Sequence, residues 1–120
     1  MDPLKRLQTD DQLQQLLEAW EVLRKQCHEM PAQAVTALLY VASHNPCHKQ
    51  AIEEDLKLTT ASSSRMLDFL CDGPGRKGVE KPGLGLVSKY PDTSNGRRIL
   101  LKLTPKGEEL IAKMKGIIWS

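Results

Sequence analysis

The sequence predicts a mostly helical α+β domain, and three observations carry that prediction. Apolar residues recur at spacings of three and four through most of residues 13–71. From residue 85 the spacing changes to two, around an Asn-Gly pair at Asn95-Gly96. At Thr104-Pro105 it returns to three and four and holds to the end. A chain of 120 residues can build one hydrophobic core without metals or disulfides, so residues 1–120 are expected to form a single domain.

Each element has its own local cause. Thr9 or Asp10 caps a first helix whose stripe is Leu13, Leu16, Leu17, Trp20, Leu23 and Cys27. Pro31 suits the first turn of a second helix with Val35, Leu38, Leu39 and Ala42 inward. It ends at "SHNPC", where Asn45 precedes a proline. A short third helix runs from about His48 to Asp55, and "LKLTT" reads as a turn. Thr59 or Thr60 then caps a fourth helix reaching about Cys71. Its inner face is Ser63, Met66, Leu67 and Leu70, its outer face is Ala61, Ser64, Arg65 and Asp68, and Ser62 and Phe69 lie on the flanks. "GLGLVSKY" and "RRILLKLT" read as two strands joined by the turn "PDTSNG", with Ile99, Leu101 and Leu103 on one face. In the last helix Thr104 is the cap and Pro105 the first residue, acids lie early and lysines late, and Leu110, Ile111, Met114, Ile117 and Ile118 form the stripe.

Composition excludes several classes of function. No apolar run approaches the roughly 20 residues of a membrane span, and "MDPLKRLQTD" lacks a secretory apolar stretch. Cys27, Cys47 and Cys71 make an odd count without a CxxC pair, which suits a reducing cytoplasm. His44 and His48 are four apart, but Pro46 interrupts any helix that would align them for a metal. No nucleophile triad, paired carboxylates or nucleotide loop stands out, so neither an enzyme nor a cofactor is expected. Charge is unevenly placed: residues 1–60 carry 6 Lys/Arg against 9 Asp/Glu, residues 61–120 carry 11 against 6. A polyanion partner would meet the second half.

Short helix, tight turn and polar-faced helix make a helix-turn-helix candidate at about residues 48–71, and the basic hairpin after it, about 85–104, would be its wing. Reading base edges in the major groove needs small polar residues and a bidentate donor on the outer helix face. Ser62, Ser64 and Arg65 meet that need, with Arg65 the candidate for guanine and Asp68 able to accept from cytosine or to orient Arg65. Arg97 and Arg98 alternate sides of the wing strand, so only one is expected to reach a minor groove or phosphate. Lys49, Thr60, Lys89 and Asn95 complete the candidate DNA-contact set. The competing reading is a solvated helix face and hairpin on an ordinary core.

These segments resemble the MarR-type winged-helix family of bacterial regulators. Residues 51–70, "AIEEDLKLTTASSSRMLDFL", resemble its helix-turn-recognition helix, and residues 85–104 its wing. "LTPKGEEL" resembles its Leu-Thr-x-x-Gly-x-x-Leu exit into a dimerisation helix of residues 105–119. The resemblance implies a cytoplasmic DNA-binding transcriptional regulator, repressor-like, acting as a homodimer on a pseudo-palindromic duplex. It puts Leu16, Trp20, Leu23, Ile117, Ile118 and Trp119 at the dimer contact. It names no small-molecule effector. This chain departs from the family at Asn95-Gly96-Arg97, where an Asp-x-Arg is usual, and it has less C-terminal helix than many relatives. Two other readings stand beside it: a winged helix used to bind protein, and a metal- or redox-responsive sensor.

Residues 72–84 are rich in glycine and proline and delay the wing by about eleven residues, counting against the family spacing. They read as an inserted loop whose Arg76, Lys77 and Lys81 are candidates for phosphate contact.

Overall fold

The computed structural model describes residues 9–71 and 83–119, with the side chains of residues 95–97 outside that description. Its elements run α1 (Asp11–Arg24), α2 (Ala32–Ser43), β1 (Cys47–His48), α3 (Lys49–Asp55), α4 (Thr60–Leu70), β2 (Val87–Asp92), β3 (Asn95–Leu103) and α5 (Pro105–Ile118). The α+β, mostly helical architecture is the expected one.

α2 is the centre of the core. Ala34, Val35, Ala37, Leu38 and Val41 are all buried, because α4 packs on one side of the helix and β3 on another. The expected inward stripe is therefore rotated. Leu39 is 40% exposed, and Ala34, Ala37 and Val41 are inside instead. Leu67 and Leu70 of α4, Ile52 of α3, and Leu101 and Leu103 of β3 close the core around α2. Ile99, expected on the same face as Leu101, is 40% exposed since β3 runs on past the core.

The sheet is antiparallel in the order β1-β3-β2. Its first strand has no counterpart in the sequence reading: two residues, Cys47 and His48, pair with Leu101 and Leu100. A two-residue strand shows no periodicity. Here it is supported by Asn45, whose side-chain oxygen accepts from the Leu103 amide at 3.1 Å.

The hairpin begins later than "GLGLVSKY" suggested. The Leu84 and Leu86 amides donate to the Phe69 and Leu70 carbonyls, both at 2.9 Å, and Cys71 bridges Val87 in parallel. The last carbonyls of a helix have no partner within it, and these amides supply one. Chain leaving α4 at Cys71 and chain arriving at Gly83 thus meet. A Cβ on Gly83 would lie 1.7 Å from the Cys71 carbonyl oxygen. An excursion that leaves and returns at one stem can lengthen without disturbing what it joins. Gly85, with φ 72°, then turns the chain into β2, and its carbonyl accepts from the Thr104 hydroxyl at 2.6 Å.

α1 and α5 pack on each other at the ends of the chain. Asp10 caps α1, accepting from the Gln12 and Leu13 amides at 3.0 and 3.1 Å. Thr104 caps α5 through the Gly107 amide at 3.0 Å. Only Ala19 and Leu23 of α1 are buried, and Leu13, Leu16, Leu17 and Trp20 remain open.

Candidate nucleic-acid interface

α3 and α4 form the helix-turn-helix. The turn between them is tight because the Leu58 amide reaches back to the Glu53 carbonyl at 3.0 Å, with Lys57 at φ 54°. Thr59 begins α4, its hydroxyl accepting from the Ser62 amide at 3.1 Å. The α4 face turned from the core carries Thr60, Ala61 and Arg65, all exposed, with Ser62, Ser64 and Asp68 half-buried beside them. Among the described residues no carboxylate pairs with Arg65. A small, polar, cation-bearing face of this kind can approach base edges.

The two candidate lysines are differently placed from what the sequence suggested. Lys49 sits 2.6 Å from Glu53 one turn along α3, with only 14% of its side chain exposed. The same carboxylate accepts from Ser63, the buried polar residue of α4, whose hydroxyl also lies 3.1 Å from the Thr60 carbonyl. Lys49, then Ser63, hold the Glu53 carboxyl below the usual carboxylate range. Lys49 is thereby part of a strut between α3 and α4. Lys89 of β2 lies 3.0 Å from Asp68 of α4, so Asp68 binds the hairpin to α4.

A third link was missed by sequence reasoning. His48 Nε2 and Asp92 Oδ2 are 2.8 Å apart, and Asp92 Oδ1 accepts from the amide and hydroxyl of Ser94 at 2.9 and 2.7 Å. The hydrogen bond from His48, then those from Ser94, hold Asp92 far below the ordinary carboxylate range. Nothing in the spacing of residues 44 positions apart could announce the contact. The Asp-x-Ser turn signal was the nearest hint. A fourth link, the Tyr40 hydroxyl donating to Asp55, joins α2 to α3 and pushes the phenol up to about 12.

Arg98 is exposed and lines a cleft of about 270 Å³ with His48, Lys49, Gln50, Glu53 and Ile99. Asn95 and Arg97 stand at the start of β3, and their side chains fall outside the description. Arg76, Lys77 and Lys81 also lie outside the described residues. Of the expected dimer-contact residues, Leu16 and Trp20 are 49% and 43% exposed and Trp119 is 74% exposed. Ile117 and Ile118 are half-buried. Leu23 differs: it is 1% exposed, enclosed in the chain's own core and unable to offer a surface.

Two of the three thiols, Cys47 and Cys71, do not have the surroundings of a sensor. Burial pushes the Cys71 thiol up to about 11 and raises Cys47 as well, which suppresses the reactive thiolate. His44 stacks on Tyr40 with ring centroids 4.4 Å apart, while His48 faces Asp92. Among the described residues no three His, Cys, Asp or Glu side chains converge as metal ligands do. No described helix is long and apolar enough to cross a membrane.

The whole arrangement matches solved structures of MarR-type regulators. A cysteine-to-serine mutant of MarR from E. coli, complexed with operator DNA, aligns over 90% of this chain and 66% of its own, at 20% identity and a TM-score of 0.60. Overoxidized AbfR bound to DNA aligns over 82% of this chain and 65% of its own, at 20% identity and 0.59. The PcaV transcriptional regulator from Streptomyces coelicolor, in complex with its natural ligand, aligns over 88% and 73%, at 22% identity and 0.54. This chain therefore has the MarR-type winged-helix fold and spans just under two thirds of the two DNA-bound relatives. No family model and no curated protein sequence matches it.

Proposed function

We propose that the protein is a sequence-specific double-stranded DNA-binding regulator, acting as a homodimer and repressing by occupying its site. The observation that carries this is α4. The helix belongs to a helix-turn-helix, with Arg65 uncovered and small hydroxyl residues around it, in a fold whose solved examples include two bound to DNA. α4 is assigned to the major groove through Ser62, Ser64 and Arg65, and the hairpin to phosphate or minor groove through Arg97 or Arg98. Residues 85–104 are the wing of this single domain, and residues 72–84 are the insert before it. The dimer is assigned to the apolar surface of α1 and α5, where Leu16, Trp20, Leu39 and Trp119 line an open apolar cavity of about 190 Å³. Regulation is by binding, with no chemistry on the duplex, and the site of action is the cytoplasm.

Selection of duplexes from a random pool, followed by titration at two salt concentrations, tests the reading. A sequence-selective affinity that falls with salt is expected, and its absence at both concentrations overturns it. Arg65→Ala should relax base preference by about 1–3 kcal/mol at one position, whereas Arg97→Ala should weaken all sequences alike. One observation favours a second reading, the protein-binding winged helix: Lys49 and Lys89 are already paired with carboxylates, which lowers the positive charge offered to a polyanion. Specific capture of a protein by a chain that binds no duplex would favour that alternative.

A further inference from the structure

The DNA-binding reading makes no use of the contact between His48 and Asp92. Its geometry is unusual for a wing. His48 ends β1 and is also the residue that caps α3, yet its side chain makes no capping hydrogen bond. The imidazole is instead turned across β3, the middle strand, to Asp92 at the end of β2. Asp92 follows a shift of register at Pro91 and is almost enclosed, with 12% of its side chain exposed against 34% for His48. Its two oxygens do different work. Oδ1 takes both donors of Ser94 and shapes the hairpin turn, and Oδ2 faces the helix-turn-helix.

Resting on the DNA-binding reading, we propose that His48 and Asp92 are positioning residues for the wing, and that protonation of His48 tightens the contact and with it the affinity for DNA. Asp92, held by three hydrogen bonds, is an anion throughout the neutral range. The proton of the pair is therefore the imidazole's to gain or lose. Neutral His48 donates one hydrogen bond to Oδ2, an oxygen that is already charged. Protonated, it adds the attraction of opposite charges to that bond. Three further charged groups share the cleft with His48: Lys49 and Glu53 of α3 and Arg98 of β3. Lys49 and Glu53 pair with each other, which leaves Arg98, among the described residues, as the cation opposing the proton. A DNA phosphate beside Arg98 would offset that opposition. The bound state thus holds the His48 proton more firmly than the unbound one, and by linkage affinity rises as pH falls.

The test is the affinity of a selected duplex for the wild type, His48→Gln, Asp92→Asn, His28→Gln and His44→Gln, between about pH 8 and about pH 6. Thermal melting of each variant establishes that it is folded. Wild type should tighten by up to about tenfold, the equivalent of one unit of pKa difference between bound and unbound states. His48→Gln retains a donor toward Oδ2 but cannot take up a proton, so its profile should be flat, whereas Asp92→Asn leaves the imidazole and Arg98 in place and should keep a reduced slope. The other two histidine variants, covering the remaining histidines of the chain, should keep the wild-type slope. A wild-type slope in His48→Gln overturns the proposal while leaving DNA binding standing. A chain that binds no duplex at any pH overturns the DNA-binding reading, and this proposal with it.

Discussion

The α1–α5 pair and the unit made of α3, α4 and the hairpin both hold short elements in a set arrangement, and they do so with opposite chemistry. α1 and α5 meet through side chains such as Leu23, Leu110 and Met114, and their outer apolar residues, Leu16, Trp20 and Trp119, are left uncovered. The second unit shares the apolar core through Ile52, Leu67 and Leu101, and towards its surface it is closed by polar links, each between different elements. Glu53 joins α3 to Ser63 of α4, Asp68 joins α4 to Lys89 of β2, and His48 joins the start of α3 to Asp92 in the hairpin. Apolar burial is non-directional and is improved by more burial, so the first region gains from a second molecule. Hydrogen-bonded charges are directional and set angles, so the second region is complete in itself and can present a face.

The largest break in this comparison lies where the two regions join. Gly107, buried in the first turn of α5, passes so close to the hairpin stem that a Cβ would lie 2.1 Å from the Leu86 carbonyl oxygen. The clash is with backbone, which cannot rotate away. Gly107→Val should lower stability by about 3 kcal/mol, and Gly107→Ala by less with the same sign, as read from urea midpoints. Wild-type stability in both would mean that α5 does not bear on the hairpin as described. Next in size is the apolar face. Trp20→Glu places a charge at the centre of the open surface and should weaken self-association by about 2 kcal/mol, roughly thirtyfold in dimer Kd. Sedimentation across a concentration series measures it, and a variant as dimeric as wild type would remove this face from the dimer.

That contrast also marks what could be read from the sequence. Helices, hairpin and wing order follow from apolar periodicity, the Thr59 and Thr104 caps and the Asn-Gly turn, all of them local signals. The leucine stripe of α1 was legible as a stripe, but the same spacing serves a core or an interface, and only the packing of Leu23 inward and Trp20 outward separates them. β1 was illegible because two residues have no period. The polar links were illegible for a related reason. Their places at the start of the third helix and on the first wing strand make Lys49 and Lys89 lesser phosphate candidates, but each is held by an acid, Lys89 by a residue 21 positions away. Lys49 and Glu53, four apart, could have been paired from the sequence by the helix rule alone.

The strut between α3 and α4 gives the third test. Glu53→Gln keeps an acceptor for Ser63 but strips half-buried Lys49 of its partner, and should cost about 1–2 kcal/mol at neutral pH. The sign with pH follows from the carboxyl being held low by Lys49 and Ser63. Its contribution is complete above the unfolded carboxylate value of about 4.3 and is lost as pH falls through the lower folded value. The gap between wild type and variant should therefore close in acid. A gap that persists there would assign the loss to packing and weaken the claim that charge holds this unit together.

The smallest expected effect has the opposite sign and concerns the turn itself. α3 ends with the Leu58 amide bonded back to Glu53, the arrangement in which the residue between usually is glycine because its backbone is left-handed. Here that residue is Lys57, exposed and at φ 54°. A side chain in that conformation costs about 1–2 kcal/mol, and glycine removes the cost while adding about 0.5–1 kcal/mol of backbone entropy to be lost on folding. Lys57→Gly should therefore stabilise the protein by about 0.5 kcal/mol, visible as a small rise in urea midpoint at unchanged slope. It also removes one positive charge near the helix-turn-helix, so the salt dependence of DNA binding should be measured beside stability. A stabilised variant with an unchanged salt slope would make Lys57 a purely conformational feature of the turn. A slope reduced by nearly one would make it a phosphate contact, and the strain in the turn would then be the means by which that contact is presented.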